Sequence, residues 1–303
     1  MLAVFTPIWI LAGLGYVARR TGLLDATAAQ TLSKLVFHLA IPATLFLALS
    51  TQPLSAFTGR PLVAFGTSTV VVIGTGWLLA GRLFHRKPGE QAIWGMSAGY
   101  VNSANLGIPI ARLVLGSTAF LVQVVLLQVL VVTPVILTAL DRDADGRVRL
   151  QRLATMPLRN PVIAASALGV LASATGYRPP SVVHVSLSLL ADAAVPVALI
   201  ALGAALHSET TEPSVALPEL AAIGVLKLAA QPAVAFAVGA LALHLDRPQL
   251  LAVTVCAGLP TAQNTFIFAQ QYGVAEAQAS RAVLVTTTAS LGTLAAIAWA
   301  LSR

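Results

Sequence analysis

Long apolar stretches separated by short clusters of charge make up most of this chain. Charge-free runs cover 1–18, 35–59, 61–81, 91–111 and 113–140, then 160–177, 228–245, 248–275 and 282–302. A membrane helix needs roughly 20 mostly apolar residues, so runs of this length predict repeated membrane crossings. The pattern resolves into ten spans. The first five fall near 2–19, 32–50, 61–83, 91–116 and 118–140, the other five near 159–175, 182–206, 217–243, 248–272 and 278–301.

The same pattern occurs twice. Pro7 to Gly22 aligns with Pro161 to Gly176 without gaps at an offset of 154, with six identities in sixteen positions. That offset also carries Pro42 onto Pro196. Farther along, Ala98-GYVNSA-Asn105 aligns with Ala257-GLPTAQ-Asn264 at an offset of 159. Residues 1–140 and 159–303 therefore read as two five-span repeats joined by a loop at 141–158. Five is odd, so the second copy enters the membrane inverted, an arrangement found in many secondary transporters.

Composition agrees with the pattern and removes several alternatives. Charged residues are 10% of the chain against 57% hydrophobic, whereas soluble domains carry about 25% charge. A soluble enzyme, a secreted disulfide domain and a disordered tail are excluded. The 18 Lys and Arg against 11 Asp and Glu lie between the spans, so they report topology and no nucleic-acid surface. With the N-terminus outside, twelve basic residues fall on inner loops and five on outer ones, with Lys227 inside a span. Both termini are expected outside. The loop with Glu209, Glu212 and Glu219 is an exception, since it should be inside yet has no Lys or Arg. Cys256 is the only cysteine, which rules out an intrachain disulfide.

The fourth and ninth spans depart from plain membrane helices. Each places Gly, Pro and neutral polar side chains in its middle: Asn102, Ser103, Asn105, Gly107 and Pro109 in one, Gly258, Pro260, Thr261, Gln263 and Asn264 in the other. Gly and Pro interrupt the helical ladder, and in hydrocarbon the freed groups must find partners. Two broken helices at matched repeat positions would cross near the midplane and direct half-helix N-termini at an anionic group. Asn102, Ser103, Asn105, Thr261, Gln263 and Asn264 would supply neutral donors and acceptors. Equally, such amides hold packed membrane helices together. Charges within spans suggest function by default, and Asp192 and Lys227 are of that kind. His38 is the repeat equivalent of Asp192. These three could couple protons or neutralise substrate; alternatively Asp192 and Lys227 form a structural pair and His38 bonds a backbone carbonyl. The sequence has no phosphate loop, no metal-ligand spacing and no paired carboxylates, so neither a cofactor, a metal nor catalysis is expected.

The chain resembles the auxin efflux carrier family over essentially its whole length. The stretches that show it are LAGLGYVARRTGLLD, LSKLVFHLAIP, YVNSANLGIPIARLVLG and LVTTTASLGTLAA, above all Asn102, Asn105, Gly107 and Pro109. The resemblance implies the fold of the bile-acid/sodium symporters: all-α, two inverted five-helix repeats, helices four and nine broken and crossing. It implies a scaffold of spans one, two, six and seven, with a homodimer contact through two and seven. The other six spans would form a transport domain moving like an elevator. Asn102 and Asn105 would lie at a substrate carboxylate. The central loop lacks the long hydrophilic insert of many plant auxin exporters, and the third span has no Asp or Lys, so auxin itself fits poorly.

The expected function is transport of a small mono- or dicarboxylate such as malate across the inner membrane, with protons a better coupling partner than sodium. The alternatives are a sodium-coupled symporter of the bile-acid type and a membrane sensor that binds a ligand without moving it.

Overall fold

The computed structural model describes residues 2–25, 27–51, 59–145, 161–206 and 215–301. The central-loop residues Arg147, Arg149, Arg152 and Arg159, and also Glu209 and Glu212, lie outside them. Among the described residues the regular structure is helical, apart from one isolated antiparallel bridge between Val101 and Thr261. Twelve helical runs follow in chain order. They are α1 (Leu2–Arg20), α2 (28–51), α3 (Gly59–Arg82), α4 (Pro88–Gly99), α5 (103–115), α6 (119–145), α7 (Pro161–Thr175), α8 (Ser181–Leu206), α9 (Leu217–Ala242), α10 (Arg247–Ala257), α11 (Gln263–Tyr272) and α12 (Glu276–Leu301). Six of them, α2, α3, α6, α8, α9 and α12, contain stretches long and apolar enough to cross a membrane.

Several prolines leave a mark on these helices. Four of the six wide π-helical turns among the described residues, at 36–40, 103–107, 128–132 and 226–230, end two residues before a proline: Pro42, Pro109, Pro134 and Pro232. The turns at 111–115 and 238–242 have no such proline, and Pro7 and Pro196 sit within unwidened helix. Proline has no N–H to donate, and its ring collides with the carbonyl four residues back. Widening the preceding turn relieves both problems without ending the helix.

The chain divides into two compact units. The first takes in the described parts of 1–58, 104–123 and 151–210. Here α1 packs along α8, and α7 along α2, through small residues that let backbones touch. A Cβ on Gly15 would fall 2.1 Å from the Ile200 carbonyl oxygen, and one on Gly203 would fall 1.8 Å from that of Ala12. On the other pair, a Cβ on Gly169 would lie 3.0 Å from the Phe46 carbonyl oxygen. The offset of 154 carries Gly15 onto Gly169 and Phe46 onto Ile200, so the two close approaches are equivalent. It also relates Gly22 and Gly176, which close α1 and α7 in the left-handed region at φ 79° and 68°.

The second unit takes in 59–103, the described part of 124–150, and the described residues from 215 onward. Its core gathers Val72 and Ala80 of α3, Trp94 and Ala98 of α4, Ile223 of α9 and Ala282 of α12. The 159 offset is visible here in backbone geometry. His85 and His244, the equivalent residues of two interhelical turns, both have φ 49°. Arg86 N donates to Ala80 O and Leu245 N to Gly239 O, each at 2.9 Å. Glu90 and Gln249, three residues into their helices, accept from Lys87 N and Asp246 N. Arg86 also supplies a partner for Glu219, the described one of the three carboxylates singled out before α9. Its guanidinium donates to the Glu219 carboxylate at 2.6 Å, with Glu90 at 3.5 Å. The carboxylate at the start of α9 thus has its cation on the α3–α4 turn.

Candidate functional site

The two interrupted helices meet in the second unit. α4 stops at Gly99, Tyr100 turns extended (φ −88°, ψ 110°), and α10 stops at Ala257. Asn102 N donates to Pro260 O at 2.7 Å and Ala262 N to Tyr100 O at 3.0 Å, around the Val101–Thr261 bridge. The chain then re-enters helix at Ser103 and at Gln263. Gly107 and Pro109 stand inside α5, beyond its first turn, whereas Gly258 and Pro260 stand in the break itself.

Breaking a helix in an apolar surrounding frees carbonyls that must be met, and buried side chains meet them here. Gln231 Nε2 donates to Gly99 O at 3.0 Å and Gln128 Nε2 to Val101 O at 2.9 Å. Thr261 Oγ1 donates to Ser97 O at 2.6 Å, while Thr261 N donates to Thr286 Oγ1 at 3.1 Å. Lys227 Nζ donates to Ala257 O at 3.1 Å. Gln278 Nε2 donates to Ser97 Oγ at 3.0 Å. The two helix ends and the bridge are therefore held by residues of α6, α9 and α12.

The residues expected at a substrate divide into groups. Asn102 and Ser103 are buried at the start of α5. Gln263 and Asn264 are half-buried at the start of α11, with Asn264 near the Tyr100 hydroxyl. Thr133 Oγ1 gives its proton to Gln128 O, so Tyr100 donates to Thr133. Thr261 is fully buried, and its hydroxyl is engaged by Ser97 O; it supports the backbone. The backbone of Asn105 continues α5, but its side chain lies outside the described residues. The remaining polar atoms around the bridge are neutral, and Gln128 Oε1 is buried there without a partner. Neutral donors beside two helix N-termini favour an anionic guest.

The three titratable candidates are placed apart. His38 is exposed and its Nδ1 donates to Lys34 O at 2.9 Å, the backbone contact expected of a structural histidine. The expected Asp192–Lys227 pair is replaced by separate partners in each unit. Asp192 is exposed and meets Arg112 at 3.6 Å. Lys227 is fully buried and donates to Gln231 Oε1 as well as to Ala257 O. The physical reason is local: a residue four positions on along α9, and a helix end that needs a donor, satisfy Lys227 without a carboxylate. Gln128, Gln231 and Thr286 were not singled out in the sequence. The one available signal was a neutral amide inside an otherwise apolar span, which membrane helices also use for simple packing.

Residues 2–298 match the family described as membrane transport protein. A "Putative malonate transporter" of Rhizobium meliloti (strain 1021) is 28% identical over 302 residues, covering 95% of this chain and 92% of that protein. The "Uncharacterized transporter YfdV" of Escherichia coli (strain K12) and that of Shigella flexneri are each 27% identical over 277 residues, with 88% and 87% covered.

Proposed function

Because the chain belongs to the auxin efflux carrier family of membrane transport proteins, we propose that this multi-pass membrane protein carries a small organic anion of the mono- or dicarboxylate class. The observation that carries this reading is the bridge at the two broken helices. It brings two helix N-termini together, with buried Asn102 beside one and half-buried Asn264 beside the other. A carboxylate gains there from helix dipoles and neutral donors together. The malonate named for the relative at 28% identity is a short dicarboxylate and fits that chemistry.

The path through the membrane follows from the same reading. Ten spans form two inverted five-helix repeats, supported by the two sets of equivalent contacts at offsets 154 and 159. Substrate is carried by alternating access of the elevator type. The scaffold is α1, α2, α7 and α8, with a homodimer contact through α2 and α8. The other six spans, which hold the bridge, form the moving body. Both termini face outward from the cell membrane, and protons or the anion gradient drive flux in preference to sodium.

Reconstituted liposomes test the reading. Labelled malonate and malate should exchange against the unlabelled acid inside, with saturable rates that do not depend on sodium. Binding without flux would favour a sensor. Flux that requires sodium would favour a symporter of the bile-acid type.

A further inference from the structure

Lys227 is the most deeply placed charge among the described residues of the second unit, and its surroundings are unusual for a lysine. Its Nζ reaches two oxygens, the Gln231 side-chain carbonyl and the backbone carbonyl of Ala257, the last residue of α10. Both are acceptors, and the three N–H groups of an ammonium can donate to each of them. Among the described residues each ion pair involves other side chains, and there is no cluster of His, Cys, Asp or Glu able to hold a metal ion. The negative end of a half-helix therefore faces the Lys227 amino group, which only neutral oxygens hold. Gln231 extends the arrangement through its own amide, which donates to Gly99 O at the end of α4 and to Thr69 Oγ1. One lysine–glutamine pair, set on the wide turn of α9, thus joins the carbonyl ends of both broken helices.

Carbonyls at the C-terminal ends of half-helices are where carriers of broken-helix design coordinate a monovalent cation. We propose that the carbonyl end of α10 is such a cation site, permanently filled by the Lys227 ammonium as a tethered ion. Shortening the lysine should open the site to a free monovalent cation. The consequence for coupling, that the carrier needs no sodium here, rests on the transport reading. The existence of the site does not, and its test reads melting temperature without flux.

The purified protein and the variants Lys227→Ala and Lys227→Met are melted in choline chloride, sodium chloride and propylammonium chloride at equal ionic strength. Propylammonium replaces the four heavy atoms lost in Lys227→Ala, and 1-propanol is its uncharged counterpart. The parent should be indifferent to sodium, within about 1 °C. Lys227→Ala should melt lower in choline and recover by roughly 5 °C, in a saturable manner, with propylammonium or sodium. It should not recover with 1-propanol. Lys227→Met fills the space without charge and should stay low in every salt. Three results would overturn the proposal: a saturable sodium shift in the parent, full stability of Lys227→Met, or equal rescue of Lys227→Ala by 1-propanol. Should Lys227→Ala fail to fold, the parent and Lys227→Met still decide the matter.

Discussion

Gln231 makes three contacts that no apolar residue could replace, to Lys227, Gly99 O and Thr69. Gln231→Leu leaves a buried ammonium and a helix-end carbonyl short of partners. It should destabilise the protein by about 2–3 kcal/mol, read as a lowered melting temperature. Arg112 and Asp192 invite a different test. A charge left unpaired beside lipid is costly, less so at a helix end than at its centre, so Arg112→Gln and Asp192→Asn should each destabilise the protein in liposomes. The double variant should recover most of that loss. Additive losses would show that the 3.6 Å pair does not act as one. At Asp25, outside the spans, the Thr27 hydroxyl and N–H hold the carboxylate below its ordinary pKa of 3.8. Its contribution to stability is present above that value and is lost as pH falls through the lowered one. Thr27→Val should move the Asp25 titration upward, as followed by carboxyl NMR. At this scale the sequence marks the right neighbourhood more often than the right role. Asn102 and Ser103 are visible beside a Gly/Pro break, but the partner of Lys227 depends on which helix end lies opposite, and no local pattern encodes that.

Helix packing turns on a few glycines whose neighbours are backbone. Gly203→Ala and Gly15→Ala would each force a Cβ within about 2 Å of a carbonyl oxygen on the facing helix, and a backbone cannot rotate away as a side chain can. Each should cost about 3 kcal/mol or more or prevent folding. Gly13→Ala, with nothing within 4 Å of its added Cβ, should be neutral or stabilise by about 0.5–1 kcal/mol through helix propensity. Thermal unfolding of the three variants in detergent separates these outcomes. Spans and breaks were legible because apolar length and the Gly/Pro interruption are local properties. Gly15, Gly169 and Gly203 were less so, since a glycine in a membrane helix reads alike whether it faces lipid or a neighbour. The wide turns before Pro42, Pro109, Pro134 and Pro232 belong between these cases: each proline signals a distortion, but not that the helix widens and continues.

The molecule as a whole is organised by its two offsets. The 154 relation, first seen as six identities in sixteen residues, reappears as equivalent glycine contacts and equivalent left-handed helix ends. The 159 relation, seen first around the breaks, reappears in turns where His85 and His244 share φ 49° although the flanking sequences differ. Equivalent backbone geometry occurs at positions whose side chains differ, which is why the sequence shows only part of the correspondence. The bridge between the broken helices is where the transported anion should bind. Saturable binding of labelled malonate to the purified protein tests it most directly, comparing the parent with Asn102→Ala and Asn264→Ala. Each variant should bind with a dissociation constant at least about tenfold weaker, a loss of about 1.4 kcal/mol, with a melting temperature close to that of the parent. Parent-like affinity in both variants would contradict it.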